Sequence, residues 1–420
     1  MKTVGPEAAP ESAAQSSRYA WVIVESLWLV HVLNFMNFSS FGILAPLIKQ
    51  DLQLSSFQIG FLISALSVGS VVFQMPAGLV VDSVGVRRML TLAVVGIGFF
   101  LVLFSLTPSF AIGLAILILY GGANGIVGPA AAKCVVDWFP SVGRATAMGV
   151  KQTGVNFGGI FAGILLPVIV IFFTWRQGLL VIGLVEIAAA IPIYMLLRES
   201  PVRAKARRTS LAWGKIARLA MQRDMLILGG IGFCFMAGQF CFSTYLILFL
   251  NQEMDYSLVR AGQYYAVSFL AGAAARVLWS MASDYLLSGR RKAVLFLIAL
   301  ILFFSSLALV VISFFPVFSP FLIAVILAFG VSGIGWNAIY LTILGELVDR
   351  DSTALATGVG YGYSFLGSLA APPLFGLIAD RTGTYGWSWL FLVLCAGTIM
   401  LLMIFYRENP STGGKTGPRP

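Results

Sequence analysis

Twelve apolar segments follow one another along nearly the whole chain, and they constrain its fold more than any other feature. They lie at roughly 19–48, 56–81, 87–107, 111–136, 144–172, 177–197, 224–250, 262–286, 291–314, 318–347, 353–378 and 387–406. At about 1.5 Å per residue, an apolar helix of about 20 residues crosses the ~30 Å hydrocarbon core of a bilayer. Charged residues make up only 10% of the chain, against roughly 25% in soluble domains. The sequence therefore predicts an all-α membrane protein with twelve transmembrane helices.

The positive charges indicate how these helices are oriented. Most of the 27 lysines and arginines fall in segments that lie inside if the N-terminus lies inside. The opposite loops hold only Lys49, Arg176, Arg260 and Arg381. Because cytoplasmic loops are enriched in Lys and Arg, this asymmetry predicts that both termini are cytoplasmic. Topology then explains the net charge of +10, and we expect a lipid bilayer rather than a nucleic acid as partner.

One short motif occurs twice, at matching places in the two halves of the chain. The first copy reads G-L-V-V-D-S-V-G-V-R-R at 78–88, and the degraded second copy reads S-M-A-S-D at 280–284 with G-R-R-K at 289–292. On these two copies the chain resembles the major facilitator superfamily of secondary transporters, over nearly its whole length. The resemblance implies two pseudo-symmetric six-helix bundles that rock around a site at mid-membrane. It also implies a gating role for Gly78, Asp82, Gly85, Arg87, Arg88, Asp284 and Arg290.

The same resemblance divides the chain into five parts. They are a disordered cytoplasmic tail at 1–18, an N-terminal bundle at 19–197, a basic linker at 198–223, a C-terminal bundle at 224–407 and a second tail at 408–420. Within the linker, Leu211 to Met221 fits an amphipathic helix on the inner leaflet. We expect a monomer in the plasma membrane, as a bacterial inner-membrane protein.

Two cations lie deep inside apolar segments, where a charge is costly and calls for an explanation. Lys151 is seven residues beyond Arg144, and Arg276 is eight residues before Asp284. At about 1.5 Å per residue, both therefore lie roughly 10–12 Å from the same side of the membrane. In the family, the fifth and eighth helices flank the central cavity, so Arg276 and Lys151 are our candidates for binding an anion. The alternatives are that Arg276 pairs with a carboxylate or with carbonyls, and that Lys151 extends to the inner surface.

Two further ionisable residues on the first helix are candidates for proton coupling. His31 has an ordinary pKa suited to carrying a proton, although a neutral histidine bonded to a hydroxyl fits as well. Glu25 lies about 10 Å into the helix, and the alternative is that it faces the inner vestibule. Glu186, on the sixth helix, is expected to pair locally, and Lys133 to pair with Asp137 four residues later.

Polar and aromatic residues recur at helical spacing on the helices expected to line the cavity. We predict that they contribute to substrate binding, with interhelical packing as the equal alternative; they are Asn34, Tyr120, Asn124, Tyr265, Trp336, Asn337, Tyr340 and Tyr361.

Three local patterns bear on which branch of the superfamily the chain resembles. G-V-N-F-G-G at 154–159 resembles the drug-antiporter motif, but Val155 replaces its proline. N-F-M-N-F at 34–38 lacks both charges of the Asn-Tyr-x-Asp-Arg pattern of the anion:cation symporters. Arg276, ahead of the second motif copy, is similar to the arginine of monocarboxylate and oxalate transporters.

These patterns lead to one preferred function and several alternatives. We expect a secondary transporter that moves a small organic anion, a monocarboxylate, together with a proton. The alternatives are a proton-coupled exporter of amphipathic compounds and a transporter-like sensor. The four cysteines have no metal-site spacing and no enzyme motif stands in a suitable context, so we expect neither a cofactor, a metal nor an enzyme.

Overall fold

The computed structural model describes residues 11–139, 141–199, 213–287, 290–315, 319–348 and 353–408, all of them in helices or the turns between helices. The N-terminal helices are α1 (Glu11–Ile43), α2 (Ala45–Asp51), α3 (Ser56–Val84), α4 (Val86–Ser105), α5 (Phe110–Trp138), α6 (Ser141–Phe172) and α7 (Trp175–Leu196). After them come α8 (Trp213–Ala220), α9 (Arg223–Gln252), α10 (Leu258–Met281), α11 (Arg291–Phe314), α12 (Ser319–Phe329), α13 (Asn337–Glu346), α14 (Thr353–Thr382) and α15 (Gly386–Phe405). π-helical turns at Ala282–Leu286 and Gly330–Ile334 follow α10 and α12.

Twelve helical spans in the described residues are long and apolar enough to cross a membrane, which confirms the predicted fold class. The tenth predicted segment is one span made of α12, a π-helical turn and α13. The chain is therefore a multi-pass membrane protein. One boundary differs, because α1 begins at Glu11, inside the predicted tail 1–18. Residues 200–212, half of the predicted linker, and residues 409–420 of the second tail lie outside the described residues, and α8 occupies the linker's last part.

Small residues allow the helices within each half to approach closely. In the N-terminal half, a Cβ atom built on Gly121 of α5 would lie 2.2 Å from the Leu66 carbonyl oxygen of α3. In the C-terminal half, a Cβ atom on Gly367 of α14 would lie 2.1 Å from the Phe233 carbonyl oxygen of α9. Such contacts leave no room for a side chain, and they are the way in which membrane helices gain packing energy without a hydrophobic effect.

The two halves meet through α3 against α14 and α6 against α10. Gly163 of α6 and Gly262 of α10 face each other, since a Cβ atom on either would lie within 2.6 Å of the other's carbonyl oxygen. Gly60 of α3 packs in the same way against Pro372 of α14. These contacts lie toward the end of the bundle at which α3 begins and α14 finishes. We call this end the closed end, and the predicted topology places it on the outer side.

Candidate functional site

Lys151 and His31 form a buried pair in the N-terminal half. Lys151 of α6 is only 5% exposed, and its Nζ atom lies 3.5 Å from Nε2 of His31 on α1. The other ring nitrogen, Nδ1, lies 2.8 Å from the Leu27 carbonyl oxygen. A carbonyl only accepts, so we assign the ring proton to Nδ1, which leaves the Nε2 lone pair directed at the ammonium group. Gly154 allows the contact, because a Cβ atom there would lie 2.6 Å from the Trp28 carbonyl oxygen of α1.

Arg276 of α10 has a different environment in the C-terminal half. Its side chain is half-buried, and its Nε atom is buried without a hydrogen-bond partner. Within the described ranges no carboxylate lies at ion-pair distance from its guanidinium group. The Tyr361 side chain is the titratable neighbour within electrostatic reach. The predicted alternative of a carboxylate partner is therefore absent from the described part of the chain.

A hydrogen-bond network in the C-terminal half leads toward Arg276. The Tyr361 hydroxyl donates to Asn337 Oδ1 at 3.0 Å, and Asn337 Nδ2 donates to Gln239 Oε1 at 3.3 Å. Trp336 Nε1 also donates to Gln239 Oε1, at 3.0 Å. Asn337 and Tyr361 are half-buried, so this network presents amide and phenol groups beside the arginine. Sequence reasoning missed Gln239, because a glutamine in an apolar helix carries no spacing that distinguishes it.

Four of the predicted wall residues are packing residues in this conformation, which corrects the prediction for them. Tyr120, Tyr265, Trp336 and Tyr340 have no exposed surface. Tyr340 donates to the backbone carbonyls of Leu228 and Gly360, and Tyr265 donates to Ser39 Oγ at 3.1 Å across the two halves. The alternative of interhelical packing describes these aromatic side chains.

Asn34 and Asn124 remain on the wall of the N-terminal half. Both are half-buried, and Asn34 Nδ2 donates to Asn124 Oδ1 at 2.9 Å, which joins α1 to α5. Glu25 lies exposed on the α1 face that also exposes Trp21 and Leu29. That position fits the alternative of a vestibule or surface acid rather than a carboxyl facing Lys151.

The repeated motif makes contacts inside each half. Gly85 joins α3 to α4 with a φ of 100°, a value that favours glycine. The Arg87 backbone N–H donates to Glu199 Oε1 at 3.0 Å, and the guanidinium carbon of Arg87 lies 3.8 Å from the centre of the Tyr194 ring. Arg88 is exposed. Gly78 and Asp82 belong to α3, and the contacts of both residues lie outside the described part of the structure.

In the second copy, Arg291 rather than Arg290 contacts the aspartate of the motif. Arg290 is exposed, whereas Arg291 forms an ion pair with Asp284 and lies 3.5 Å from a Glu346 oxygen through its Nε atom. The gating role of Asp284 and Arg290 stays a prediction. The two arginines are adjacent, and only the direction of each side chain at the start of α11 separates them.

The closed end contains a cross-half contact that the sequence did not predict. Asp380 of α14 accepts from the backbone N–H groups of Ser56 and Phe57, at 2.9 and 2.8 Å, where α3 begins. Lys49 donates to Ser56 Oγ at 2.8 Å. Burial lowers the pKa of Lys49 below its ordinary 10.5, while the nearby Asp380 carboxylate opposes the shift. A carboxylate is well placed at a helix N-terminus, where free N–H groups and the helix dipole stabilise it.

Comparison with known proteins places this arrangement among transporters. A family model described as Major Facilitator Superfamily matches residues 27–361. The hexuronate transporter of Bacillus subtilis (strain 168) is 25% identical over 379 residues, which cover 88% of this chain and 90% of the relative. A probable galactarate/D-glucarate transporter of the same organism, GudP, is 23% identical over 415 residues, 90% of each chain.

The fold also matches solved structures. A bacterial homologue of the human lysosomal transporter Spinster, solved in an inward-facing and occupied conformation, superposes with a TM-score of 0.76 at 17% identity. The match covers 94% of this chain and 99% of that one. At this identity the likeness establishes the fold alone.

Proposed function

The chain belongs to the major facilitator superfamily, and on that premise we propose that it carries a sugar-acid monocarboxylate, of the hexuronate type, together with a proton. The observation that carries the proposal is Arg276, a cation held at mid-membrane without an anionic partner in the described part of the chain.

The environment of Arg276 supports an anion as its partner. An unpaired guanidinium loses hydration inside a membrane and regains that energy only when a carboxylate or a similar group binds it. Arginine binds a carboxylate through two parallel hydrogen bonds, which adds direction to the attraction. Helices α6 and α10 pack together, and we propose Lys151 on α6, which contacts His31 in this conformation, as a second positive group from the opposite half.

The neutral polar groups near the two cations support a cargo with hydroxyl groups. Asn337 and Tyr361 lie on the arginine side, and Asn34 with Asn124 lies on the other half. Amides and phenols both donate and accept hydrogen bonds, as recognition of sugar hydroxyls requires. This chemistry agrees with the relatives described as hexuronate and galactarate/D-glucarate transporters.

Electrostatics supports proton symport. Moving a single negative charge against an inside-negative potential costs about 2.3 kcal/mol per 100 mV. One proton carried with one monocarboxylate cancels this cost, because the pair has no net charge.

Ligand-induced stabilisation tests the proposal directly. A ligand that binds only the folded state raises the melting temperature, so D-galacturonate should raise that of the purified protein and neutral D-galactose should not. Arg276→Ala removes charge-assisted hydrogen bonds of about 1.5–3 kcal/mol each. The affinity for D-galacturonate should therefore fall about 100-fold, and D-galacturonate should no longer raise the melting temperature.

Arg260→Ala is the matched control, since Arg260 lies exposed at the start of the same helix. This variant should respond to D-galacturonate as the wild type does. An undiminished shift in Arg276→Ala would remove the arginine from the site. A shift with lipophilic cations, and none with any carboxylate, would replace the proposal with the exporter alternative.

A further inference from the structure

One carboxyl group of the N-terminal half lies entirely inside the helix bundle. Glu186 of α7 is 1% exposed, and Asn37 of α1, its hydrogen-bond partner, has no exposed surface. Asn37 Nδ2 donates to Glu186 Oε2 at 2.9 Å. The fully buried Tyr120 of α5 lies within electrostatic reach of this carboxyl group. Three helices thus meet around an acid that the anion site does not use.

The charged groups on the surrounding helices do not neutralise Glu186. They are Glu11, Arg18, Glu25 and His31 on α1, Arg87 and Arg88 on α4, Lys133 and Asp137 on α5, Arg144 and Lys151 on α6, and Arg176 on α7. Lys133 is 3.5 Å from Asp137, Arg176 pairs with Asp51, and Lys151 contacts His31. Within the described residues no cation lies at ion-pair distance from the Glu186 oxygens. A carboxylate with one amide donor and no cation is strongly disfavoured in such a place.

The unpartnered atoms around Glu186 indicate where a proton belongs. Glu186 Oε1, Asn37 Oδ1 and the Tyr120 hydroxyl are all buried without a hydrogen-bond partner. The first two atoms only accept when the acid is ionised, so neither can satisfy the other. A proton on Glu186 removes the charge and turns Oε1 into a donor, for which the amide oxygen of its partner Asn37 is an unpartnered buried acceptor. Protonation therefore suits this buried group without a cation.

A line of polar residues runs from this acid to Asn34 and Asn124, the half-buried residues of the predicted cavity wall. Asn34 precedes Asn37 by three residues, so both lie on one face of α1. Asn124 follows Tyr120 by four residues on α5, and the two helices are joined by the Asn34–Asn124 hydrogen bond. The Asn34 Oδ1 atom is again buried without a partner. Separation of α1 from α5 along this line would admit water to the carboxyl group.

From this arrangement we propose that Glu186 is a proton-binding site of the carrier, protonated in the conformation described and deprotonated when water reaches it between α1 and α5. The coupling role rests on the proposed function: the carboxyl O–H bond breaks to release the proton to water and forms again when a proton enters with the anion.

Infrared spectroscopy of the purified full-length protein in lipid tests the protonation without any substrate. At neutral pH we expect the C=O stretching band of a protonated carboxyl group, lost in Glu186→Gln and retained in Glu25→Gln, the exposed acid of α1. Asn37→Ala should keep the band but shift it, because the acid loses its amide partner. A band that is absent from the wild type, unchanged in Glu186→Gln, or unshifted in Asn37→Ala would overturn the site.

Transport in proteoliposomes tests the coupling separately. Glu186→Gln mimics the protonated acid, so we expect it to retain exchange of labelled D-galacturonate and to lose accumulation driven by a pH gradient. Accumulation at the wild-type level would overturn the coupling role. If the wild type transports no sugar acid, the proposed function fails, and the infrared band still decides whether Glu186 binds a proton.

Discussion

The two ends of the helix bundle differ in what holds the N-terminal and C-terminal halves together. At the closed end, Asp380 accepts from the Ser56 backbone N–H, Tyr245 donates to the Ser56 carbonyl oxygen and Lys49 donates to Gln252 Oε1, all of them between the two halves. At the opposite end, the ion pairs of the described residues stay inside one half, as Arg291 with Asp284 does. The contacts that this conformation must break in order to invert are therefore concentrated at the closed end.

This difference assigns separate tasks to the two ends. Contacts within a half hold that bundle together while it rocks, apart from the α1–α5 line at which we propose that water enters, whereas contacts between halves set the relative free energy of the two conformations. With the predicted topology, the closed end is the outer one. Spin labels on cysteines at Gln53 and Arg381, both exposed at the closed end, can report its opening as a distance, and the four native cysteines are buried.

The largest effect is expected from a methyl group at the closest approach of the two halves. A Cβ atom at Gly60 would lie 2.4 Å from the Pro372 carbonyl oxygen and 2.5 Å from the Tyr245 hydroxyl. Overpacking costs about 1–3 kcal/mol, so Gly60→Ala should raise the population of the conformation in which this end is open by about 5- to 150-fold. Double electron–electron resonance between the two labels should show the longer distance gaining population.

Gly149→Ala is the control for this prediction. Gly149 lies in α6, near the opposite end, and a Cβ atom there has no neighbour within 4 Å. In Gly149→Ala, the distance between the spin labels at Gln53 and Arg381 should stay as in the wild type. An equal response of the two alanine variants would mean that the closed end is not where the halves are held together.

A smaller effect is expected from removing the charge at the start of α3. In Asp380→Asn, one side-chain oxygen is replaced by an NH₂ group that cannot accept from the backbone N–H groups of Ser56 and Phe57. The loss of charge at an exposed helix N-terminus is worth about 1 kcal/mol, or roughly fivefold in population toward the opened state.

The same substitution at the other end sharpens the comparison. Asp284→Asn weakens an ion pair inside the C-terminal half, so it should leave the label distance unchanged and lower the thermal stability by at most a small amount. A shift in the distance for Asp284→Asn as large as for Asp380→Asn would contradict the separation of tasks between the two ends.

The smallest effect is a pH dependence at Lys49. Burial in the closed arrangement lowers the pKa of Lys49, so the closed state binds fewer protons than a hydrated open state. The closed state therefore gains population as the pH rises toward the ordinary value of 10.5, and it loses this gain as the pH falls. In the wild type, the distance between the two spin labels should change with pH in this direction, and in Lys49→Met it should not depend on pH. A pH dependence that remains in Lys49→Met would assign the titration to another group.

The confirmed fold class rested on a local pattern of the sequence, because apolar length identified the twelve spans. The isolated positions of Arg276 and Lys151 in apolar segments make them candidates for the anion site, and that role stays a prediction. The predicted wall was less accurate, because Asn34 and Tyr340 carry the same polar signal in the sequence. One lies half-buried on the wall and the other donates to backbone carbonyls in the interior.

The amino-acid sequence by itself determined the membrane-spanning helices, their two-fold repetition and the presence of two deep cations. Charges and unpaired backbone groups are costly in hydrocarbon, so the spacing of charged and apolar residues along the chain already shows which segments span the membrane. Only the tertiary structure decided that Asp380 binds the start of α3, 324 residues away, and that Glu186 meets Asn37. Such contacts depend on which helix faces approach each other, and that follows from the packing of all twelve spans at once.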